Sequence, residues 1–195
     1  DQTYTNSVAV CALMISLARE LGYPAAAVRD LGMAGLLHDV GKSTISQDIL
    51  LKAGPLNEAE TIEMRRHPTQ GYDILSATTG LPPVALDVCL HHHERLDGLG
   101  YPFGLKAEAI STATRMASIC YVYDAITSIR PYAPGKSPLE AVTEMETADG
   151  HFDRALLFQF MGSIGVYPAG KLVRILGDRL AVTLPHNHNG IAPVF

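Results

Sequence analysis

The stretch with the clearest potential for chemistry is a run of three histidines and a carboxylate, His91, His92, His93 and Glu94. A glycine-rich segment, residues 97–104, follows it directly. Imidazole and carboxylate side chains are costly to bury unless they are paired or bound to a metal ion. Packing alone does not explain so many of them together, so this stretch predicts a metal site that continues into a shaped loop.

Two further segments carry the same residue types. His38 and Asp39 are adjacent, and His67 stands between them and the histidine run. A single histidine is an ordinary core or surface residue, but three such segments in one chain favour a shared site. Mixed imidazole and carboxylate ligands are typical of divalent metal sites.

Helices are predicted to carry these residues at or near their ends. Apolar residues at helical spacing cover 81–90 behind two prolines, so the histidine run falls in the last turn of that helix. A second helix begins at Pro24 and ends at His38 and Asp39. His67 lies at a break between helical segments 57–66 and 69–77, and a long apolar helix covers 111–128. The pattern predicts an all-α bundle of about seven helices over residues 1–165.

The last part of the chain has a different pattern. Residues 171–184 alternate between apolar and polar types around a Gly-Asp pair, which is typical of a short β-hairpin. We therefore expect residues 166–195 to form a small β-containing extension of the same domain.

Composition narrows the class of protein. Hydrophobic residues make up 47% of the 195 residues and charged residues 18%, which predicts a folded globular domain. The net charge of -5 argues against a protein that grips a nucleic-acid backbone. Three widely spaced cysteines indicate reduced thiols and a cytoplasmic location, and no apolar run reaches the length of a membrane span.

Two motifs together resemble one known family. Residues 38–42, His-Asp-Val-Gly-Lys, and residues 92–102, which end in Gly-Tyr-Pro, are similar to the HD-GYP family of bacterial HD-domain phosphohydrolases. The similarity continues through 50–56, 67–68, 130–132 and 167–170, so it covers nearly the whole chain. The resemblance implies an HD-domain helical bundle that hydrolyses cyclic di-GMP to linear pGpG or GMP with two or three ions, usually iron or manganese.

The resemblance also assigns residues. The positions that match family metal ligands are His38, Asp39, His67, His92 and His93, and these five are expected to converge on one centre. Asp39 is the expected bridge between ions, and Lys42 and Asp39 are the expected catalytic residues. The positions that match substrate-binding residues are Lys42, Arg130, Gly100, Tyr101 and Pro102.

Four positions depart from the family pattern. Asn6 stands where a ligand histidine is usual, Tyr121 where a ligand aspartate is usual, Gln2 where many members have an acidic ligand, and Ala133 where a basic phosphate contact is common. Asn6 and Tyr121 would have served the same ion. We therefore expect one ion held by Asp39 and three histidines, and a second position that is weak or empty.

Three functions remain open at this stage. The first is a cyclic di-GMP phosphodiesterase with reduced activity. The second is a degenerate domain that binds cyclic di-GMP, or a diguanylate-cyclase (GGDEF) domain through the GYP loop, without turnover. The third is hydrolysis of another phosphoester, which the complete GYP loop disfavours. Homodimerisation is compatible with all three.

Overall fold

The computed structural model describes residues 2–128 and 134–166, and the backbone of 172–175 and 179–182. The described part contains nine α-helices, and the predicted all-helical class is confirmed. They are α1 (Gln2–Glu20), α2 (Ala25–Leu37), α3 (Gln47–Leu50), α4 (Glu58–Met64), α5 (His67–Ser76), α6 (Pro83–His91), α7 (Thr112–Thr127), α8 (Pro138–Thr147) and α9 (Arg154–Ser163). Short 3-10 helices cover Val40–Thr44 and Ala107–Ala109.

The helix number exceeds the predicted seven for local reasons. Ser46 caps the single turn of α3, and Asn57 begins α4 with a reciprocal capping box to Glu60. His67 is the first residue of α5 instead of lying in a gap before it, because Pro68 suits the first turn of a helix. Side-chain caps such as those of Ser46 and Asn57 each stabilise a helix by about 1 kcal/mol.

The core forms around α1, which packs against α2, α7 and α9. Gly35 of α2 lies so close to α1 that a Cβ there would come within 3.1 Å of the Cys11 backbone. The side chains that fill the centre are fully buried and come from several helices, including Met14, Leu17, Met116, Ile119 and Phe160. The two-helix contact fixes the end of α2 in the bundle.

A second close approach joins the segment after α2 to α5. A Cβ on Gly41 would lie 1.9 Å from the His67 carbonyl oxygen and 2.6 Å from the Gly71 nitrogen, so only glycine fits. This contact brings the His38–Asp39 corner against the start of α5. α6 packs on both α2 and α5, so its C-terminal end reaches the same place.

Two short strands lie near the C-terminus. β1 (Leu172–Ile175) pairs antiparallel with β2 (Arg179–Val182), with Leu172 opposite Val182. The rest of the predicted 166–195 extension lies outside the described residues, except Val166, and its boundary stays a prediction. Among the helices that the structure describes, none combines the length and apolar character needed to cross a bilayer.

Candidate metal centre

Helix ends position each residue of the candidate centre. His38 caps the C-terminus of α2 and Asp39 follows it, His67 begins α5, and His92 caps α6 with His93 directly after. The first four are buried, with exposures of 0–1%, whereas His93 is partly exposed.

Four of these residues meet at one point. Ligand atoms of Asp39, His67, His92 and His93 all lie within 4.8 Å of one another. The Nε2 atoms of His67 and His92 are 3.4 Å apart, and they lie 3.2 Å and 3.6 Å from Asp39 Oδ1. The structure thus brings together four of the five residues expected to share a centre.

Backbone carbonyls orient the imidazole rings. Nδ1 of His67 donates to the Met64 carbonyl at 2.7 Å, and Nδ1 of His92 donates to the Cys89 carbonyl at 3.0 Å. Because a carbonyl oxygen only accepts, each Nδ1 carries the proton and each Nε2 presents a lone pair. This arrangement is typical of histidine ligands, whose other ring nitrogen is held by a backbone or carboxylate group.

The lone pairs therefore face one another and Asp39 Oδ1, which is buried and has no hydrogen-bond partner among the described residues. Two imidazole acceptors and a carboxylate oxygen within 3.6 Å repel one another unless a cation lies between them. The residues present fit a divalent metal ion of the kind bound by imidazole and carboxylate.

Protonation states agree with this chemistry. The Lys42 ammonium pairs with Asp39 Oδ2 at 2.6 Å, which favours the charged form of the carboxylate. Burial lowers the pKa of His92 to about 4 and also lowers the pKa of His93. At neutral pH the carboxylate is charged and these two imidazoles are neutral, which are the forms that bind metal.

The other carboxylate oxygen of Asp39 has a different environment. Lys42 Nζ donates to Asp39 Oδ2 at 2.6 Å, and His38 Nε2 lies 3.2 Å from the same oxygen. His38 Nδ1 donates to the Gly35 carbonyl at 2.7 Å, so its Nε2 is also a lone-pair acceptor. His38 lies beside Asp39 but outside the four-residue group, because it faces Oδ2.

Asn6 and Tyr121 stand at the two positions where the family resemblance places ligands of a second ion. The Asn6 side-chain amide donates to Asp124 of α7, and its oxygen is buried with no hydrogen-bond partner in the described part of the chain. The Tyr121 ring lies 6.0 Å from the His38 ring and 4.9 Å from the His93 ring, between centroids. A bulky phenol thus takes space beside the histidines.

The Gly-Tyr-Pro loop covers the centre. Tyr101 stacks on His93 with centroids 4.5 Å apart and an interplanar angle of 18°. A Cβ on Gly100 would lie 2.5 Å from both the Glu94 Cα and the His93 carbonyl oxygen, so glycine lets the loop approach this closely. Pro102 follows Tyr101, and burial raises the pKa of the Tyr101 phenol.

Glu94 is a positioning residue that the sequence reasoning did not assign. It is only 2% exposed, and its two carboxylate oxygens accept from the backbone nitrogens of Phe103 and Leu105 at 2.7 Å and 2.9 Å. Its place directly after the histidine run was a signal, since a buried carboxylate needs donors. Glu94 ties the loop to the segment that carries His92 and His93.

A cavity of about 220 Å³ opens beside the metal centre, and we call it the side cavity. His92 and His93 form its inner wall. Its other lining residues include Arg65, Arg95, Leu99, Tyr101, Tyr121 and Val122. The remaining sequence-based binding residue, Arg130, lies outside the described residues, as does Ala133, and the side chain of Gln2 is not described.

The fold and site define an all-helical domain with a buried cluster of histidines and aspartate at converging helix ends. A family model for the HD domain matches residues 1–156. The chain belongs to the HD domain family, and the resemblance to its HD-GYP members is confirmed.

Relatives and solved structures agree with this assignment. The chain is 48% identical over 194 residues to cyclic di-GMP phosphodiesterase PA4108 of Pseudomonas aeruginosa, covering 99% of this chain and 47% of that protein. It is 44% identical over 117 residues to the cyclic di-GMP phosphodiesterase response regulator RpfG of Xanthomonas campestris, covering 60% of this chain and 31% of that protein. The chain thus spans less than half of the length of these relatives.

The fold is also that of the HDG"Y"P protein Bd1817 from Bdellovibrio bacteriovorus, with a TM-score of 0.69. That match has 19% sequence identity and covers 83% of this chain and 52% of the other. At this identity the likeness concerns the fold alone.

Proposed function

We propose that this chain is a metal-dependent phosphodiesterase that opens cyclic di-GMP to linear pGpG, GMP or both. The observation that carries the proposal is the convergence of four ligand atoms within 4.8 Å, where the lone pairs of buried imidazoles and a carboxylate oxygen together favour a bound cation. The names of the relatives PA4108 and RpfG support the substrate class.

In this proposal Asp39, His67, His92 and His93 hold one divalent ion, iron or manganese. A bound ion of this kind supplies Lewis acidity toward a phosphoryl oxygen and activates water for attack on phosphorus. Asp39 Oδ1 would be the oxygen that holds the ion, and the positively charged Lys42 ammonium donates a hydrogen bond to Oδ2 beside it. Lys42 is partly exposed, so its ammonium group is available to neutralise charge on the scissile phosphate as it reacts.

A second metal ion beside Asp39 has less support than the first. His38 Nε2 and Asp39 Oδ2 remain as possible ligands, but Lys42 already supplies a cation at that oxygen. Asn6 offers one neutral oxygen instead of an imidazole. We therefore propose a single tightly held ion, with any second ion bound weakly.

Substrate contacts are proposed for the loop and for Arg130. Tyr101, between Gly100 and Pro102, lies against a proposed metal ligand and offers an aromatic surface to the substrate. Arg130 is proposed as a phosphate contact from the family resemblance. Leu99 and Phe103 on the same loop are 76% and 59% exposed, which supports a role for the loop in contacting a GGDEF domain or a second copy of the chain.

A second function, a cyclic di-GMP receptor without turnover, is favoured by one specific observation. The Tyr121 ring fills space beside His93 and His38, with centroids 4.9 Å and 6.0 Å away, and the family resemblance places Tyr121 and Asn6 at ligand positions of one and the same ion. A protein that has lost the second ion but kept the pocket would bind the dinucleotide and release it unchanged.

The experiment that tests the proposal compares metal-stripped protein with protein reloaded with iron(II) or manganese(II) without oxygen. We expect linear pGpG or GMP only from the reloaded sample, and loss of that activity when a chelator is added. Nucleotide binding without product in the reloaded sample would contradict the enzyme proposal and support the receptor.

A further inference from the structure

We propose that the side cavity binds one guanine base of the substrate and that Arg65 recognises that base. The inference rests on the proposed function and deepens it, because it names the residue that sets base preference. Neither the histidine cluster nor Lys42 distinguishes one cyclic dinucleotide from another, since both face the phosphodiester. Base selection therefore needs another part of the surface.

Arg65 is placed over the loop that covers the metal centre. Its guanidinium carbon lies 5.1 Å from the centroid of the Tyr101 ring, within the range of a cation–π contact. Tyr101 in turn stacks on His93 at 4.5 Å. The three side chains form a continuous row from the proposed metal ligand to the rim of the side cavity.

The charge of Arg65 is available for a ligand. Arg95, which also lines the side cavity, donates twice to Asp97, at 2.6 Å and 3.2 Å. Arg66, the neighbour of Arg65 in the sequence, pairs with Glu63 at 3.2 Å. No carboxylate in the described ranges pairs with Arg65, whose side chain is exposed. Its planar set of N–H donors is therefore free to meet two acceptors at once.

The size and lining of the side cavity favour a base over a phosphate. Its volume of about 220 Å³ is below the roughly 300 Å³ at which pockets begin to hold a drug-sized ligand, so it suits one part of a dinucleotide. Ser118 and His151 also line it, and Tyr121, Leu99 and Val122 give it aromatic and apolar walls. Bases stack on such surfaces, whereas a phosphate requires polar ones.

The donors of Arg65 select guanine among the purines. Guanine presents two adjacent acceptors, O6 and N7, which arginine meets with a pair of hydrogen bonds. Adenine presents a donor, N6, beside N7, and arginine has no acceptor to offer it. Arg65 therefore favours a guanine in the side cavity.

The test measures three substrates, cyclic di-GMP, 3′,3′-cyclic GMP-AMP and cyclic di-AMP, with the metal-loaded protein. We expect the natural chain to prefer cyclic di-GMP over cyclic di-AMP by at least about 10-fold, because a bidentate base contact discriminates by on the order of 10- to 100-fold. Arg65→Ala should raise KM for cyclic di-GMP by that factor, leave its kcat within about twofold, and remove most of the preference. Arg65→Lys should not restore it, because an ammonium lacks the paired donors.

Arg66→Ala is the matched control, since it removes the same side chain one position away from the side cavity. We expect its KM and preference to stay those of the natural chain. An equal rise in KM for all three substrates in Arg65→Ala would overturn the proposal and indicate a phosphate contact. The absence of a preference in the natural chain, or equal behaviour of Arg65→Ala and Arg66→Ala, would also overturn it.

Binding separates this inference from the proposed function. If the loaded protein turns nothing over, the same preferences are measured as Kd values with a fluorescent cyclic di-GMP competed by each unlabelled dinucleotide. Loss of preference in Arg65→Ala would then support the base site in a receptor, and an unchanged preference would reject it.

Discussion

The two oxygens of Asp39 face opposite kinds of environment, although they are buried equally. Oδ1 faces His67 and His92, whose lone pairs are held inward by backbone carbonyls. Oδ2 faces His38 and accepts a hydrogen bond from the Lys42 ammonium. The Oδ1 side has only acceptors among the described residues, whereas the Oδ2 side combines the Lys42 ammonium with the unpartnered His38 Nε2.

The difference shows how the two oxygens of one carboxylate can serve unlike environments. On the Oδ1 side every ligand of the predicted set is present, and the rings are fixed by their second hydrogen bonds. On the Oδ2 side the Lys42 ammonium neutralises carboxylate charge, and the His38 imidazole lies 3.2 Å from the oxygen. The two sides of Asp39 are therefore asymmetric.

The largest effect is expected from breaking the Oδ1 side. His92→Ala should remove the proposed ion and lower kcat by on the order of 10³-fold or more, because the ion supplies several kcal/mol of transition-state stabilisation. His91→Ala is the control, since His91 bonds to Asp87 and lies outside the cluster. Turnover assays of both variants measure this difference. Equal activity in the two would contradict the proposal that the Oδ1 side holds the ion needed for turnover.

A smaller effect is expected on the other side of Asp39. Lys42→Met should lower kcat by about 10²-fold, comparable to the loss of one donor to a transition-state charge, and should leave the Oδ1-side ion bound. Lys52→Met, which removes an exposed lysine paired with Glu60, serves as the control. Loss of the ion from Lys42→Met, measured by metal analysis, would contradict the separation of the two sides.

The support beneath the cluster can be tested through stability. Glu94→Gln replaces one acceptor of the two loop hydrogen bonds by a donor, and we expect it to lower the free energy of unfolding by about 1–3 kcal/mol. Glu63→Gln alters an exposed ion pair and should change stability by less than about 1 kcal/mol. Urea denaturation of both variants measures the difference, and equal stability would reject Glu94 as the anchor of the loop.

The smallest expected change is a doubling of the number of metal ions bound per chain. Asn6→His combined with Tyr121→Asp introduces an imidazole and a carboxylate at the two positions where the family resemblance places ligands of a second ion, so we expect the bound metal to rise from about one ion per chain to two. Tyr121→Phe keeps the ring and adds no ligand, and its metal content should stay at one. A metal content of one in the double variant would show that Lys42, and not the lost ligands, keeps the second position closed.

The sequence predicted the helix ends that carry the ligands because prolines and glycines mark them. Pro82 and Pro83 place α6 so that His92 falls at its end, and Gly41 follows the end of α2. His67 was predicted to lie in a break between two helices, but it is the first residue of α5. The prediction was wrong because Pro68 was interpreted as a break, although proline suits the first turn of a helix. Convergence of the ligands followed from the family resemblance, since spacing alone does not bring residues 39, 67 and 92 together.

Other features needed the three-dimensional structure. Glu94 bonds to backbone nitrogens of an irregular loop, and no periodic pattern predicts such partners. The division of Asp39 into two sides depends on ring orientations that Met64 and Gly35 fix through their carbonyls. Arg65 and Arg66 look equivalent in the sequence, and the structure distinguishes them by the Tyr101 ring beside Arg65 and the ion pair of Arg66 with Glu63.

The most direct test of the whole account is the number of ions that the natural chain retains. Protein loaded with manganese(II) or iron(II) without oxygen and then dialysed should keep about one ion per chain, and His92→Ala should keep none. A ratio of two would contradict the asymmetry between the two sides of Asp39. A ratio of zero would contradict the metal centre itself.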